Sequence, residues 1–458
     1  MRSYKYSILT LLLISLLASC RKYVEDVPIQ GQRVLVYTSD YRLLLNNHDQ
    51  QEVSYGLAPL LSCDDVEFTS PDIQNNLKNS TIQQAMYIWK KPFYIDQQTD
   101  NDWNSLYAQI YVYNVVINSV NDSKGGDIIL KNTLLGEALM HRAFAYFNLV
   151  NMYSKQYDEA TAATDMGVPI MLKPVLFTDL TRPSVKAVYE QIYSDIRQSI
   201  PLLPPVQETS FKPSKAAAYA LLSKYYLNLR DFTRAAQFAD STLDIRNDLY
   251  DYNLSVTGSG YTFPGQYADK QVILRKVPRQ MYGAYQLSNS LLNLLNTNDL
   301  RYEIFTRPGS NFYPVFTGPG YWSRDRYSND KPATGLSVND TWLIKAECLA
   351  RAGQKDEAVD MLNTLRKKRF RPADYADLSA ATATEALQMV IDERRREFFG
   401  SGLRWFDQRR LSQDAMFAQT ITRVFNNTTY TLAPNSNEYV FPLANLLLTQ
   451  NPEMKQNP

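Results

Sequence analysis

Apolar side chains recur at intervals of three and four residues in several long stretches of the chain. In DWNSLYAQIYVYNVVINSV they are Trp103, Leu106, Ile110, Tyr113 and Ile117. Such a stripe is typical of an amphipathic helix with one face in a protein core. The stretch LLGEALMHRAFAYFNLVNMY repeats the pattern. The chain is therefore predicted to be mainly α-helical.

Two further stretches, KPSKAAAYALLSKYYLNLRDFTRAAQFADSTL and DTWLIKAECLARAGQKDEAVDMLNTLRKK, each predict a pair of helices. Both place an alanine nine residues after a bulky residue: Ala235 follows Tyr226, and Ala358 follows Leu349. Tetratricopeptide repeats use this spacing to nest a small residue of the second helix against a large one of the first. We therefore expect a tetratricopeptide-like scaffold, in which each helix pair buries its apolar face against its neighbours.

Two segments interrupt the helical pattern. Residues 251–335 hold eight of the 17 glycines and are rich in proline and aromatic residues. Glycine and proline disfavour helices, and so many aromatic side chains argue against disorder. We expect a loop-rich insertion with short strands there and a second irregular excursion at 62–100. The helical scaffold then lies mainly in residues 100–250 and 338–412, and the irregular surface is the expected place of function.

The N-terminus has the features of an export signal. Residues 8–17 form an apolar run. It is too short for a membrane-spanning helix, which needs about 20 apolar residues, but it has the size of a secretory signal's hydrophobic region. The sequence LASC then ends at Cys20 and resembles a bacterial lipobox. Residues 1–19 are thus predicted to be a lipoprotein signal peptide. Acylation of Cys20, for example by palmitate, would anchor the mature chain, residues 20–458, to a membrane.

Charge and ligand content disfavour several classes of protein. The net charge is +1, with 48 basic and 47 acidic residues, so nothing predicts nucleic-acid binding. The two histidines, His48 and His141, stand in unrelated contexts, and we expect neither a metal site nor a cofactor. Whether Cys63 and Cys348 pair stays open, because Cys348 lies in an apolar helical stretch where a buried free thiol fits equally well.

A dense mixture of charged and aromatic residues, ERRREFFGSGLRWFDQRR, runs from Glu393 to Arg410. Arg394 lies on the apolar stripe of a predicted helix, where an unpaired guanidinium would be prohibitively costly. Glu397, one turn further on, and Glu347, on the last helix pair, are the expected carboxylate partners. Arginine cannot act as a base, and it holds a neighbouring carboxylate ionised. The stretch is therefore predicted to be a structural clamp rather than a catalytic site.

The same stretch resembles the C-terminal signature of the SusD/RagB family, nutrient-binding outer-membrane lipoproteins of Bacteroidetes. The likeness continues in order through LLGEALMHRAFAYFNLVNMY, DMGVPIML, RPSVKAVYEQIYSDIRQSIPLLPP, AYQLSNSLLNLLNTNDLR and the closing YVFPLANLLLTQNPEMKQNP. The resemblance implies a tetratricopeptide-like scaffold over a TonB-dependent barrel of the SusC type, lipid-anchored on the outside of the outer membrane. It also implies a binding protein, not an enzyme, whose ligand is a glycan or, in RagB-like members, a peptide.

The candidate ligand contacts combine aromatic rings, which stack on the apolar face of a sugar, with polar neighbours for its hydroxyl groups. All of them lie in the two irregular segments. The aromatic candidates are Trp89, Tyr282, Tyr321 and Trp322, and the polar candidates are Asp72, Lys78, Arg275, Arg279 and Arg324.

Two other functional classes remain open from the sequence. A glycoside hydrolase needs paired carboxylates, and Asp64, Asp65 and Glu67 in SCDDVEF are the residues that it would use. A pure protein-interaction scaffold is also compatible with the helix pairs. Polysaccharide cleavage would distinguish the first of these classes, and a ligand-binding screen the second.

Overall fold

The structure, a computed structural model, describes residues 35–175, 178–258, 260–280, 284–328 and 330–458. It is mainly α-helical with short strands, as predicted from the sequence. The α-helices are α1 (Thr38–Leu45), α2 (His48–Gln51), α3 (Leu57–Ser62), α4 (Pro71–Lys78), α5 (Thr81–Tyr87), α6 (Asn101–Ser119), α7 (Ile128–Tyr153), α8 (Val185–Ser199), α9 (Lys215–Asn228), α10 (Phe232–Leu243), α11 (Asn289–Leu292), α12 (Leu300–Phe305), α13 (Asp325–Ser328), α14 (Val338–Arg351), α15 (Lys355–Arg366), α16 (Ala383–Phe398), α17 (Leu403–Leu411) and α18 (Asn445–Gln450). The strands are β1 (Val256–Thr257), β2 (Gly260–Tyr261), β3 (Val272–Leu274), β4 (Ala284–Gln286), β5 (Thr306–Pro308), β6 (Pro319–Trp322), β7 (Leu336–Ser337), β8 (Ile421–Phe425) and β9 (Thr428–Leu432).

The long helices pack side by side, largely in chain order. Helix α6 packs on α7, α7 on α8, α9 on α10, and α10 on α14, which in turn contacts α15 and α16. The two predicted helix pairs are α9 with α10 and α14 with α15. Their small residues, Ala235 and Ala358, are fully buried, and the ring of Tyr226 stacks on that of Phe238 with centroids 5.5 Å apart. Both alanines are thus enclosed within the packed helices.

Helix α7 packs against α1, α6, α8 and α9. It begins where the carboxylate of Asp127 accepts a hydrogen bond from the backbone N–H of Leu130 at 2.7 Å, which satisfies one of the free donors of its first turn. Arg142 is buried in the same helix and donates to both oxygens of Asp195 on α8, at 2.7 and 2.8 Å. Because a bidentate pair has a fixed geometry, this contact sets how α7 and α8 lie against each other.

The short strands lie mostly in the region between the two helix pairs. Strands β4, β6 and β5 form an antiparallel sheet in that order, and β1 pairs with β2, β3 with β7, and β8 with β9. The first irregular segment, which contains α4 and α5, meets this region through a bridge between Val66 and Leu287. The two predicted excursions are therefore neighbours in space, and residues in contact, such as Thr69 and Gln286, are 217 positions apart in the chain.

The turn between α16 and α17 lies directly against this sheet. Gly400 and Gly402 have φ angles of +85° and +81°, which favour glycine and end α16. A Cβ atom on Gly400 would stand 2.3 Å from the ring of Tyr321 in β6, so a side chain is excluded at this contact. The C-terminal signature therefore supports one side of the sheet.

Candidate ligand-binding groove

A groove of about 190 Å³ opens between α4 and α5 on one side and the β4–β6–β5 sheet with the loop 309–318 on the other. It joins the two irregular segments that the sequence singles out. Its lining consists of Phe68, Ile73, Asn76, Leu77, Gln83, Ala284, Tyr285, Gln286, Phe312, Tyr313, Pro314 and Phe316. None of these described residues is charged. A groove lined by apolar, aromatic and amide groups matches the composition of small-molecule sites.

The two walls of the groove are held together by a reciprocal contact. The side-chain oxygen of Gln286, in β4, accepts a hydrogen bond from the backbone N–H of Thr69 at 2.9 Å. The amide nitrogen of Gln286 donates to the hydroxyl group of Thr69 at 2.8 Å. Gln286 is buried, so both of its polar ends are matched inside the protein. Its function in the groove is therefore to join the walls.

The hairpin of β8 and β9 supports the helical wall from behind. The amide of Gln74, on α4, donates to the carbonyl groups of Phe68 and Val424, and its oxygen accepts from the N–H of Asn426. Arg423, next to Val424 in β8, is buried and donates to several backbone carbonyls of the segment 61–87. The wall of the groove is thus fixed by polar contacts with a distant part of the chain.

The loop 309–318 presents the aromatic rings of the groove. The rings of Phe312 and Phe316 lie 4.9 Å apart and rest on the backbone of Gly320, where an added Cβ would stand 2.6 Å from each of them. Tyr313, between them, is 96% exposed. Two rings therefore anchor the loop, and the third remains free to contact a ligand. The sequence NFYPVFTG contained this signal, since it places three aromatic residues among the turn-forming Asn311, Pro314 and Gly318.

Trp322 lies next to the groove. Its ring is half-buried in β6 and meets the ring of Phe312 edge-on, with centroids 5.7 Å apart. The guanidinium of Arg326 lies 5.2 Å from the ring centroid of Trp322, within the range of a cation–π contact. This candidate is close to the lining residues, and part of its ring remains accessible.

Trp89 and Tyr321 do not have the positions expected of ligand contacts. Each is 4% exposed. The indole of Trp89 donates to the carbonyl of Ser62 at 2.8 Å, and the guanidinium of Arg423 covers its ring at 4.5 Å. Tyr321 packs against Tyr285 at 5.0 Å between ring centroids. The expectation of ligand contacts from these two residues is corrected: their rings are buried in the core beneath the groove and do not line it.

The polar candidates of the first segment lie on α4 but outside the lining. Asp72 and Lys78 are exposed, and Lys78 donates to the side chain of Asn75 at 3.0 Å. The polar residues that α4 and α5 place in the groove are Asn76 and Gln83. Helical spacing explains the difference, since Ile73, Asn76 and Leu77 share one face.

The arginines of the second segment are engaged within the protein. Arg324 contacts Asp269 at 3.1 Å and Asp330 at 3.3 Å. Arg275 is buried and also contacts Asp330, at 2.8 Å. Arg279 is exposed and donates to the hydroxyl of Ser105. None of these three arginines lines the groove, and the ion pairs of the first two bind strand and loop segments together.

Two sequence candidates lie outside the described residues. These are Cys20, the predicted lipidation site, and Tyr282, an aromatic candidate for the ligand face.

The C-terminal signature forms a network of buried ion pairs. Arg394 contacts Asp340 at 2.6 Å and Asp407 at 2.7 Å. The expected partner Glu347 is therefore wrong. The partner of Arg394 on α14 is Asp340, which lies in the same helix as Glu347. Glu347 instead binds Arg410 through both oxygens, at 2.7 and 2.8 Å. Helical periodicity identified the helix that supplies a partner, but it could not identify which turn of that helix carries the partner residue.

Glu397 has partners other than Arg394. Its Oε1 accepts from Arg369 at 2.6 Å and from Asn339 at 2.7 Å, and its Oε2 accepts from Arg301 at 2.8 Å. Burial acts to raise the pKa of Glu397, but these neighbours outweigh it and hold the pKa below its ordinary value. A carboxylate so held stays ionised and is unsuited to proton transfer.

The residues of the hydrolase alternative are part of the same network. Asp64 is bound by Arg404 at 2.7 and 2.9 Å, and Asp65 by Arg395 at 2.7 Å. Burial acts to raise the pKa of Asp64, yet Arg404 and Arg395 leave it below its ordinary value. Glu67 accepts from the backbone N–H of Asn289 at 3.3 Å. These contacts give Asp64 and Asp65 a structural role.

Other features bear on the remaining sequence expectations. Cys63 and Cys348 are each buried and are not joined to each other. Among the described residues there is no group of three potential metal-binding side chains. In the same part of the chain, no helix combines the length and apolar character needed to cross a membrane.

The groove and its scaffold belong to an architecture shared with known proteins. A family model described as starch-binding, associating with outer membrane, matches residues 51–227, and the SusD family model matches residues 321–458. Two proteins of Formosa agariphila, SusD-like protein P38 and SusD-like protein P2, are 23% and 24% identical to the chain. The alignments cover 78% of this chain in both cases, and 78% and 79% of the relatives.

Solved structures show the same fold. A SusD superfamily protein from Bacteroides thetaiotaomicron aligns with a TM-score of 0.74 at 20% identity, over 92% of this chain and all of the other. A SusD-like carbohydrate binding protein from Bacteroides vulgatus aligns with a TM-score of 0.66 at 19% identity, over 92% of this chain and 97% of the other.

Proposed function

Because the chain belongs to the SusD/RagB family, we propose that it is an outer-membrane lipoprotein that captures a nutrient glycan outside the cell. It would deliver this oligosaccharide or polysaccharide to a TonB-dependent transporter of the SusC type. The observation that carries the proposal is the uncharged groove between α4 and the loop 309–318, with the exposed ring of Tyr313 at its edge. The words starch-binding and outer membrane in one matching family description support it.

The chemistry of the groove favours a glycan over a charged ligand. Aromatic faces stack on the C–H face of a sugar ring, and amide side chains such as those of Asn76 and Gln83 exchange hydrogen bonds with its hydroxyl groups. Trp322 would add a second ring beside Tyr313. A peptide with apolar side chains is the alternative ligand, since the same rings also suit such side chains. Hydrolysis is supported less, because Asp64 and Asp65 are bound to arginines. A protein-interaction scaffold is a further alternative.

A binding screen tests the proposal. The purified mature protein is titrated by calorimetry with soluble α-glucans, β-glucans and pectic polysaccharides, and with a tryptic digest of casein. We expect one glycan class to bind and the digest not to bind. Binding of the digest alone would favour the peptide alternative, and no binding to any member of the glycan panel would count against the proposal.

Mass spectrometry of the same mixtures tests whether the protein is a binder rather than an enzyme. The oligosaccharides should be recovered intact after prolonged incubation. Cleavage that disappears in an Asp64→Asn, Asp65→Asn double variant would instead establish a hydrolase.

The lipid anchor has its own test. Cys20 follows an apolar run and ends the sequence LASC, so Cys20→Ala should abolish metabolic labelling with a radioactive fatty acid and release the protein from the membrane fraction. The control is Cys63→Ala, which removes a buried thiol of the body and should leave labelling unchanged. Labelling that persists in Cys20→Ala would contradict the anchor.

A further inference from the structure

Arg409, on α17, is buried without a carboxylate partner among the described residues. It is 1% exposed, and one terminal nitrogen donates to the carbonyl of Ser154. Its Nε and its other terminal nitrogen have no acceptor in the part of the chain that the structure describes. The neighbouring Arg410 differs, because Glu347 and Asp407 occupy its donors. Of two adjacent buried arginines in one helix, Arg410 is thus paired with carboxylates, and Arg409 is not paired with one among the described residues.

A buried guanidinium does not need a carboxylate if backbone groups satisfy it, and Arg423 shows how. Arg423 is also buried without an ion pair in the described part of the chain, but it donates to the carbonyl groups of Leu61, Cys63, Val66 and Tyr87. Arg409 has one carbonyl instead. Leaving buried donors of a charged group unmatched is costly, so an acceptor from outside the chain is expected at Arg409.

Arg409 lines a cleft that has room for such an acceptor. The cleft has a volume of about 320 Å³ and lies between the loop after α7 and the segment that follows α17. Another lining side chain, Ser436, has a buried hydroxyl group without a hydrogen-bond partner among the described residues. Burial lowers the pKa of Arg409 to about 10, which leaves the group positively charged at neutral pH. The cleft therefore combines a positive charge with a hydroxyl group that is able to donate a hydrogen bond.

The carboxylates of this cleft belong to its outer part. Asp165 is paired with Lys155 at 2.9 Å, and Lys155 is half-exposed. Asp158 is exposed and caps the N–H of Ala160 at 2.9 Å. Neither carboxylate forms an ion pair with Arg409. The positive charge of Arg409 is therefore available to a molecule that enters the cleft.

We propose that this cleft binds a small oxyanion, a carboxylate or a sulfate group, with Arg409 as its buried donor and Ser436 as a second contact. The site lies apart from the aromatic groove, shares no lining residue with it and does not depend on the function proposed for it. The oxyanion is either a free small ion or an acidic substituent of a sugar.

Calorimetry and crystallography together test this site on the mature protein. Sodium sulfate, sodium acetate and sodium glucuronate are titrated at constant ionic strength against sodium chloride, and crystals are soaked in selenate to locate the ion by its anomalous signal. We expect selenate density against Arg409 and saturable binding of at least one of the three anions. Binding of glucuronate alone would identify a sugar acid, and binding of sulfate or acetate a free ion.

Three variants separate a specific site from general attraction of anions. Arg409→Gln should weaken binding at least tenfold, while the exposed Arg234→Gln should leave it unchanged. Gln413→Glu places a carboxylate in the cleft and should also abolish anion binding, which keeps the test valid if Arg409→Gln does not fold. Ser436→Ala removes a hydroxyl without a protein partner and should weaken binding a few-fold with folding intact.

Three outcomes would overturn the proposal. The first is water alone against Arg409 both in crystals soaked in selenate and in crystals soaked in glucuronate. The second is an adventitious ion only, meaning density without saturable binding in solution. The third is anion binding that survives both Arg409→Gln and Gln413→Glu.

Discussion

The aromatic groove and the buried charge network differ in whether their side chains are accessible to a ligand or already paired inside the protein. In the network, Arg394 and Glu397 direct their polar atoms at partners inside the protein, at distances of 2.6–2.8 Å. In the groove, the ring of Tyr313 is left almost wholly exposed. A side chain whose bonding capacity is filled by its neighbours stabilises the fold, whereas one that remains accessible is able to bind a ligand. Charge density in a sequence is therefore a poor guide to the functional site of this chain.

The largest effect should come from breaking the network at Arg394. Arg394→Leu leaves Asp340 and Asp407 buried without this partner, and the loss of one member of a buried pair costs about 3–5 kcal/mol. The free energy of unfolding, measured in urea, should fall by that amount. Arg234→Leu is the control: Arg234 is half-exposed and paired with Asp231, so its loss should cost less than about 1 kcal/mol.

The same variant tests the contrast between the two regions. Ligand affinity of folded Arg394→Leu protein should match that of the unaltered protein. If unfolding were unchanged and affinity lost, the network would belong to the binding site.

The second effect concerns a buried carboxylate outside the network, Asp102. Burial, together with the nearby Asp100, raises its pKa to about 7, although the N–H of Gly56 and the charge of Arg279 act in the opposite direction. A raised folded-state pKa means that stability is present below the unfolded pKa and is lost as the pH rises through about 7. Network carboxylates such as Asp340, whose pKa is lowered, have the reverse effect: their contribution is lost as the pH falls.

Asp102→Asn should therefore stabilise the protein more at pH 8 than at pH 5. A pKa displaced from its ordinary value of 3.8 to about 7 corresponds to at most about 4 kcal/mol. We expect the stabilisation by Asp102→Asn to be about 1–3 kcal/mol larger at pH 8 than at pH 5, because Asp102 and Asp100 titrate as a coupled pair. Urea unfolding at the two pH values measures the difference, with the exposed Asp72→Asn as control. Equal effects of Asp102→Asn at both pH values would show that Asp102 is not the titrating group.

The contrast between the network and the groove also explains which features could be predicted from the sequence alone. Helical periodicity predicted both helix pairs and the burial of Arg394, because these depend on spacing within one segment. The partner of Arg394 was misassigned, since Asp340 and Glu347 lie on one helix and only packing decides between them. Trp89 could not be separated from Tyr313 by composition, because both stand in aromatic-rich irregular segments. The burial of Trp89 depends on Arg423, far away in the chain, and the exposure of Tyr313 depends on how its neighbours Phe312 and Phe316 pack on Gly320.

The smallest predicted effect is also the one that tests the groove most directly. Tyr313→Ala removes an exposed ring, so stability should change by less than about 0.5 kcal/mol. Affinity for the glycan found in the screen should fall by about 0.5–1.5 kcal/mol, the usual contribution of one aromatic contact. Tyr111→Ala, which removes a partly exposed tyrosine of α6 away from the groove, is the matched control and should bind normally. Trp89→Ala should show the reverse pattern: stability lost by about 3–5 kcal/mol, as for other buried tryptophans, with normal affinity in the fraction that folds. Should Tyr313→Ala and Tyr111→Ala bind equally well, the ligand is held elsewhere, because the two variants differ only in which face of the molecule loses its ring.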